Sequence, residues 1–223
     1  MANSGMLDAL GRRLFSEIDT YGFNEIVRMY CKYPDLLPLA TNIYHGWYIT
    51  PPRISDLKSD RSTLLVFNKR QKNEWEQQSR KPAYVLGAPF VHYRRLMNIQ
   101  QRPDASGTIV YPGHDATSND FVFDQRRLCE RLVALDEKYK PITVSVLEMD
   151  IQNGKDRMYR EYGFDVFCPG ERRSVDFVEN VYGALSRHKY SCGNHVGTNI
   201  LYAVEMGIPF FFIGDLGSGV NRK

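Results

Sequence analysis

Close cysteine pairs are missing from this chain. Its four cysteines, Cys31, Cys129, Cys168 and Cys192, stand far apart and form no Cys-x-x-Cys motif. That spacing argues against a disulfide scaffold and against a zinc ribbon. No His-x-x-x-His and no dense Cys/His cluster occurs either, so no zinc signature is present and no metal is expected. Gly-x-Gly-x-x-Gly, Walker A and Gly-x-Ser-x-Gly are all absent, which takes weight from dinucleotide oxidoreductases, P-loop kinases and hydrolase elbows. Long apolar runs are missing as well. The longest, Ile208 to Ile213, is far too short to cross a bilayer. Nor does one charge sign dominate: 29 Lys and Arg against 26 Asp and Glu leave a net charge of +3, too mild to point to nucleic acid. The balance suits anionic, phosphorylated substrates and leaves room for weak peripheral attraction to an anionic membrane surface. Met1 to Asp8 contain no basic segment followed by an apolar core, so no signal peptide is expected and the cytoplasm, extending to the inner face of the membrane, is the expected compartment.

What is present is a globular composition, 43% hydrophobic and 25% charged over 223 residues, enough for one large domain or two small ones. Residues 5–33 carry helical periodicity, interrupted at Tyr21-Gly22. Asn42 to Ile49 suits a strand or an ordered loop. Thr63 to Phe67 and Ala83 to Leu86 read as buried strands, each followed by a helical stretch, Lys69 to Gln78 and Phe90 to Ile99. Residues 100–107 are polar and aperiodic and make the best linker. They divide an N-terminal α/β domain, 1–102, from a second domain, 103–223.

In the second domain the alternation is regular. Strands are expected at 108–111, 142–147 and 164–168 and within 188–213. Helices are expected at 119–138, 155–162 and 174–187, the last with Ser174 as N-cap. Glu148 to Gly154 reads as a loop able to face a base or ribose, and Leu216 to Gly219 as a loose tail. The fold class expected is α/β, with two Rossmann-like parallel-sheet domains, the second more regular. In such sheets ligands gather beyond the carboxyl ends of strands.

The most informative stretch is 188–213. It parses as strand, tight polar turn, short helix and strand. The turn, Gly193 to Asn199, places small hydrogen-bonding residues at a helix N-terminus, where free N–H groups and a partial positive charge favour phosphate. Asn194, His195, Gly197, Thr198 and Asn199 are therefore candidate donor-binding residues, although an ordinary αβ turn has the same composition. Arg172 and Arg173 follow a predicted strand end and could clamp a phosphate; a solvated basic turn is the plainer reading. His114 follows the first strand of the second half and is a candidate for assisting leaving-group departure, while Thr117, Ser118 and Asn119 beside it also suit a helix cap. His45 precedes Gly46 and Trp47. A neutral histidine can accept a hydroxyl proton, and a tryptophan can stack on a sugar face; a buried turn beside a core tryptophan fits equally. His92 and His188 are read as packing residues.

The unit Asn194, His195-Val196-Gly197-Thr198, Tyr202, Gly207-Ile208-Pro209-Phe210 resembles the donor-site loop and helix of GT-B glycosyltransferases. His45-Gly46-Trp47, Val85 to Pro89 and Pro112-Gly113-His114 carry the same resemblance to GT-B-like proteins of bacterial surface polysaccharide (capsule and lipopolysaccharide) synthesis. Two carboxylates usual in that loop are replaced by Asn194 and Tyr202. No Asp-x-Asp occurs, which disfavours the metal-dependent GT-A class. The resemblance implies a metal-independent glycosyltransferase, with a nucleotide-sugar as substrate rather than cofactor and a glycan as acceptor. His45 would be the base, Trp47 an acceptor contact, and His114 with an arginine and the 194–199 turn would hold the donor phosphate. Enzymes of that class are longer, so a shortened C-terminus is expected. A nucleotide-sugar or glycan-binding module, or a sugar-nucleotide epimerase, are the alternatives.

Overall fold

The computed structural model describes residues 21–34, 37, 39, 41–44, 46, 62–114, 119–172, 174, 176–215 and 218–221. The chain forms two compact units, Met1–Asn98 with Arg172–Asp176, and Ile99–Glu171 with Phe177–Lys223. It is an α/β protein, and the described residues form two sheets built only from parallel strands, plus one two-stranded antiparallel ribbon.

The first unit holds α1 (Phe23–Cys31), β1 (Thr41–Ile43), β2 (Thr63–Val66), α2 (Lys69–Gln78), β3 (Ala83–Val85) and α3 (Pro89–Leu96). The strands pair in the order β1-β2-β3. Short apolar strands alternating with helices favour this parallel arrangement, because a helical crossover covers a face of the sheet. Helix α2 is polar on most sides and turns only Gln71 and Trp75 inward. Asn68 caps it by accepting the Gln71 N–H at 3.0 Å. Trp75 is 1% exposed, and its indole N–H donates to the Lys81 carbonyl at 2.7 Å, so its one polar atom is satisfied. Phe67 packs edge-on against Phe23 and Phe90 and ties α1 and α3 to the end of β2. Gly22, at the start of α1, has φ +67°, which ends any helix entering from residue 21.

The second unit is built on β4 (Thr108–Tyr111), β6 (Ile142–Ser145), β7 (Asp165–Phe167), β8 (Tyr190–Gly193) and β9 (Phe210–Phe212), with order β7-β6-β4-β8-β9. All four residues of β4 are buried, as expected of a central strand covered on both faces. The helices are α4 (Gln125–Val133), α5 (Glu148–Gln152), α6 (Asp156–Glu161), α7 (Phe177–Ser186) and α8 (Thr198–Glu205). Val110, Val144 and Cys192 from the sheet meet Leu128, Cys129 and Leu132 of α4 and Tyr159 of α6 in one apolar cluster. Burial pushes the Cys129 thiol up to about 11 and raises Cys192 further, so both behave as small apolar residues rather than nucleophiles.

Several expectations are corrected here. Residues 119–138 are not one helix. Asn119–Val122 forms strand β5, paired antiparallel with β10 (Ser218–Asn221), and the helix starts only after Asp124. The β-prone run Phe121-Val122-Phe123 finds a partner in the segment read as a loose tail, and that pairing overrides the helical pattern. Asp124 accepts the Arg127 N–H at 2.9 Å and sets the helix start. Asp124→Ala is expected to lower stability by about 1 kcal/mol, read as a shift in the urea midpoint with unchanged slope. Residues 148–152 are helical rather than loop, because Asp150 folds back to accept the Leu147 N–H at 3.3 Å. Asp150 is 4% exposed and also lies 3.9 Å from Lys155, so it serves the fold instead of facing a ligand. The helix expected from Ser174 begins at Phe177, and Ser174 accepts the Asp176 N–H at 3.2 Å.

Candidate functional site

Counted in chain order within the second unit, the five parallel strands lie 3-2-1-4-5. The chain lays down β4, β6 and β7 in one direction, then crosses back to place β8 on the other side of β4. Connections from β4 and β8 therefore leave in opposite directions, and this reversal is where open α/β sheets form a ligand crevice. In register, Tyr111 stands opposite Gly193 at that edge. The residues that follow each strand, 112–114 and 194–197, meet at that edge.

Gly193 is required for this closeness. A Cβ there would stand 2.5 Å from the Tyr111 carbonyl oxygen, well inside any tolerated contact. Asn194, 1% exposed, then spans the gap: its Oδ1 accepts the Gly113 N–H at 2.8 Å. The carboxamide oxygen is thus spent on the fold, and the Nδ2 is buried with no hydrogen-bond partner. Gly214, just past β9, lies beside the same side chain: a Cβ there would be 4.0 Å from the Asn194 Cβ. Asn194 thus sits near the roots of both connections that lead into the β5–β10 ribbon.

His114 and His195 meet at this edge, with ring centroids 5.8 Å apart and planes at 81°. His114 is exposed. Burial, reinforced by the neighbouring His114, depresses His195 to about 4, against the opposing pull of a hydrogen bond with the Tyr111 backbone. His195 is therefore neutral at physiological pH. Gly197 is the N-cap of α8 in an extended conformation, and no side chain caps the helix. A Cβ there would fall 2.5 Å from Asn199 Oδ1 and 2.8 Å from His195 Nε2, so those two side-chain tips close in on the start of α8. Thr198 opens the helix, and Asn199 follows in its first turn with Nδ2 screened from solvent and unpartnered. At the other end Gly207, φ +77°, terminates α8 and leads into Ile208 and β9.

The structure thus brings His114, Asn194, His195, Gly197, Thr198 and Asn199 to one edge of one sheet. Arg172 lies in the first unit, where its carbonyl accepts the Tyr21 N–H. Arg173, His45 and Trp47 fall outside the described residues. Gly46, between the last two, has its carbonyl held by Gln71 Nε2 at 3.3 Å, while Gln71 Oε1 accepts the Phe67 N–H at 2.8 Å. His92 donates through Nε2 to the Leu86 carbonyl at 2.9 Å and stacks on Tyr30. His188 is 7% exposed, and its Nδ1–H donates to the Ala184 carbonyl at 2.8 Å. With that tautomer Nε2 is the acceptor for the Thr143 hydroxyl at 2.9 Å, so His188 joins α7 to β6. The contribution of Gly193 and the bridging by Asn194 to Gly113 were missed from the sequence; a glycine closing a strand was the available signal.

His188, buried, and His195, partly buried, make the second unit acid-sensitive. His188 and His195 are held below the ordinary 6.5 by burial, so unfolding releases sites that bind protons more tightly. Their contribution is fully present above pH 6.5 and is lost as pH falls from 6.5 toward 4, the window set by His195. For His195 the loss is expected to be on the order of 1–3 kcal/mol. Urea unfolding of wild type and His195→Gln between pH 7.5 and 4.5 checks this. The variant should lose less stability over that interval, and equal losses would remove the assignment.

Among the described residues no group of His, Cys, Asp and Glu is arranged to hold a metal ion, and no helix is long and apolar enough to cross a membrane. The class that the fold defines is an α/β protein with a Rossmann-like parallel sheet, with polar residues gathered at its strand-order reversal. No family model, no curated protein and no solved structure matches the chain.

Proposed function

We propose that the protein is a metal-independent glycosyltransferase of the GT-B type, acting in bacterial surface polysaccharide synthesis, with the donor nucleotide-sugar bound by the second unit and the glycan acceptor served by the first. The observation that carries this reading is the position of the 193–199 turn. It lies at the carboxyl end of a parallel sheet, at the reversal of strand order, with the N-terminus of α8 and His114 at the same edge. That is where open α/β sheets take phosphorylated ligands, and a helix N-terminus stabilises the charge that develops on a departing phosphate.

In the reaction proposed, His45 accepts the proton of the acceptor hydroxyl, whose oxygen forms a bond to the anomeric carbon. The bond from that carbon to the donor phosphate breaks, and its electron pair stays on the phosphate oxygen. The α8 N–H groups, Asn194, Asn199 and His114 receive that charge. Trp47 stacks on the acceptor ring.

The test is a calorimetric screen of the purified chain against UDP-, GDP- and CMP-linked sugars, followed by product analysis with glycan acceptors. Binding with transfer or slow donor hydrolysis supports the transferase. Binding with no turnover identifies a nucleotide-sugar module, and appearance of a new nucleotide-sugar identifies an epimerase. No binding of any nucleotide-sugar removes the reading.

A further inference from the structure

We infer that Asp215 is a positioning residue for the donor turn: its carboxylate, gripped by Arg127 and Arg131, keeps the 213–215 crossing seated on Asn194 and so fixes the turn that Asn194 begins. Its effect on nucleotide binding rests on the donor-site reading above; the latch itself does not.

The first support is the path of the chain. Strand β8 lies between β4 and β9, and β4 and β9 lead on to the two strands of the antiparallel ribbon, β5 and β10. The ribbon's two connections therefore flank the carboxyl end of β8, and Asn194 leaves between them. On the β4 side its Oδ1 accepts the Gly113 N–H at 2.8 Å. On the β9 side the Ile213 N–H donates to the Gly193 carbonyl at 3.0 Å, and Gly214 turns the chain with φ +81°. A Cβ on Gly214 would lie 3.2 Å from Leu128 Cδ1 and 4.0 Å from Asn194 Cβ, so the chain passes beside both on its way to α4. There Arg127 meets one oxygen of the Asp215 carboxylate at 2.9 Å, and Arg131 meets the other at 3.4 Å. The two arginines stand one turn apart on one face of α4, which lets a single carboxylate take both.

The second support is what the crossing covers. Asn194 is 1% exposed, and its Nδ2 has no hydrogen-bond partner. A buried amide in that state is unfavourable, and lifting the crossing would let water reach it. The seated position therefore works against a pull toward the open one and needs holding. The Ile213 bond and the two ion pairs supply the hold. Asp215 and Arg127 are about half exposed, so the pairs are open to screening by salt.

The experiment is amide hydrogen exchange followed by NMR on the full chain, paired with calorimetric titration of UDP, GDP and CMP. Asp215→Asn is expected to speed exchange of the Gly113 and Ile213 amides about fivefold and to leave the β6 amides at the wild-type rate. The Arg127→Gln, Arg131→Gln double variant is expected to do the same, and Asp215→Glu to stay within about twofold of wild type. For the tightest-binding of the three nucleotides, Asp215→Asn is expected to weaken binding about fivefold in about 0.05 M NaCl. The gap should close in about 0.5 M NaCl, as salt screens the wild-type latch. Unchanged exchange at Gly113 and Ile213 overturns the latch. Faster exchange in β6 as well means general destabilisation and also overturns it. Faster exchange at the two amides with unchanged affinity overturns the positioning role. If wild type binds none of the three nucleotides, the donor-site reading falls, and exchange alone decides whether Asp215 holds Asn194.

Discussion

Gly193→Val should lower the stability of the protein by about 3 kcal/mol, seen as a fall in the urea midpoint. The added Cβ would stand 2.5 Å from the Tyr111 carbonyl oxygen and 3.5 Å from Phe210 Cζ. The first of these neighbours is backbone in the central strand and has no rotamer by which to withdraw. Relief requires β8 to move away from β4 at their carboxyl ends, which lengthens the last ladder hydrogen bonds and pulls Asn194 from Gly113. The same substitution is therefore expected to weaken nucleotide binding. Gly183→Ala is the control. Gly183 lies within α7 with nothing within 4 Å of a built Cβ, so alanine is expected to raise stability by about 0.5–1 kcal/mol. A wild-type midpoint for Gly193→Val would mean that the two strand ends are not held as closely as described.

His45→Ala is the second large effect. Removal of a general base is expected to lower turnover about 10³-fold while the dissociation constant for the donor stays unchanged. The separation follows from the roles proposed: the base touches the acceptor hydroxyl, and the donor phosphate is held by residues of the other unit. His114→Ala should show the opposite pattern, weaker donor binding with a smaller loss of turnover. Kinetics at saturating donor, paired with calorimetry of each variant, distinguish the two. Wild-type turnover in His45→Ala would remove the base assignment and leave the donor site untouched.

The local parts of the site were legible without coordinates. A short strand ending in glycine, a turn of Asn, His, Gly and Thr, a short helix and Gly-Ile-Pro spell β8, α8 and β9, because turn chemistry, N-cap preference and helix termination act over a few residues. Thr108 to Tyr111 was readable as a buried strand for the same reason. The β5–β10 ribbon was not. Asn119–Val122 and Ser218–Asn221 are almost 100 residues apart, and only their pairing tells a strand from the start of a helix at the first or a tail at the second. His188 looked like a strand's first residue, yet its ring is fixed by Ala184 and by Thr143 on a strand 45 positions away.

The amino-acid sequence by itself determined an α/β chain with regular alternation, a small-residue turn before a helix, and no motif for metal, dinucleotide or membrane-spanning chemistry. These are properties of composition and short-range periodicity. Tertiary structure alone decided the strand order that puts His114 beside His195, the approach of β4 to β8 that demands Gly193, and the commitment of Asn194 Oδ1 to Gly113 that leaves its Nδ2 over. Each joins residues roughly 80 positions apart, and contacts at that separation are set by how the whole sheet packs rather than by what any one segment prefers.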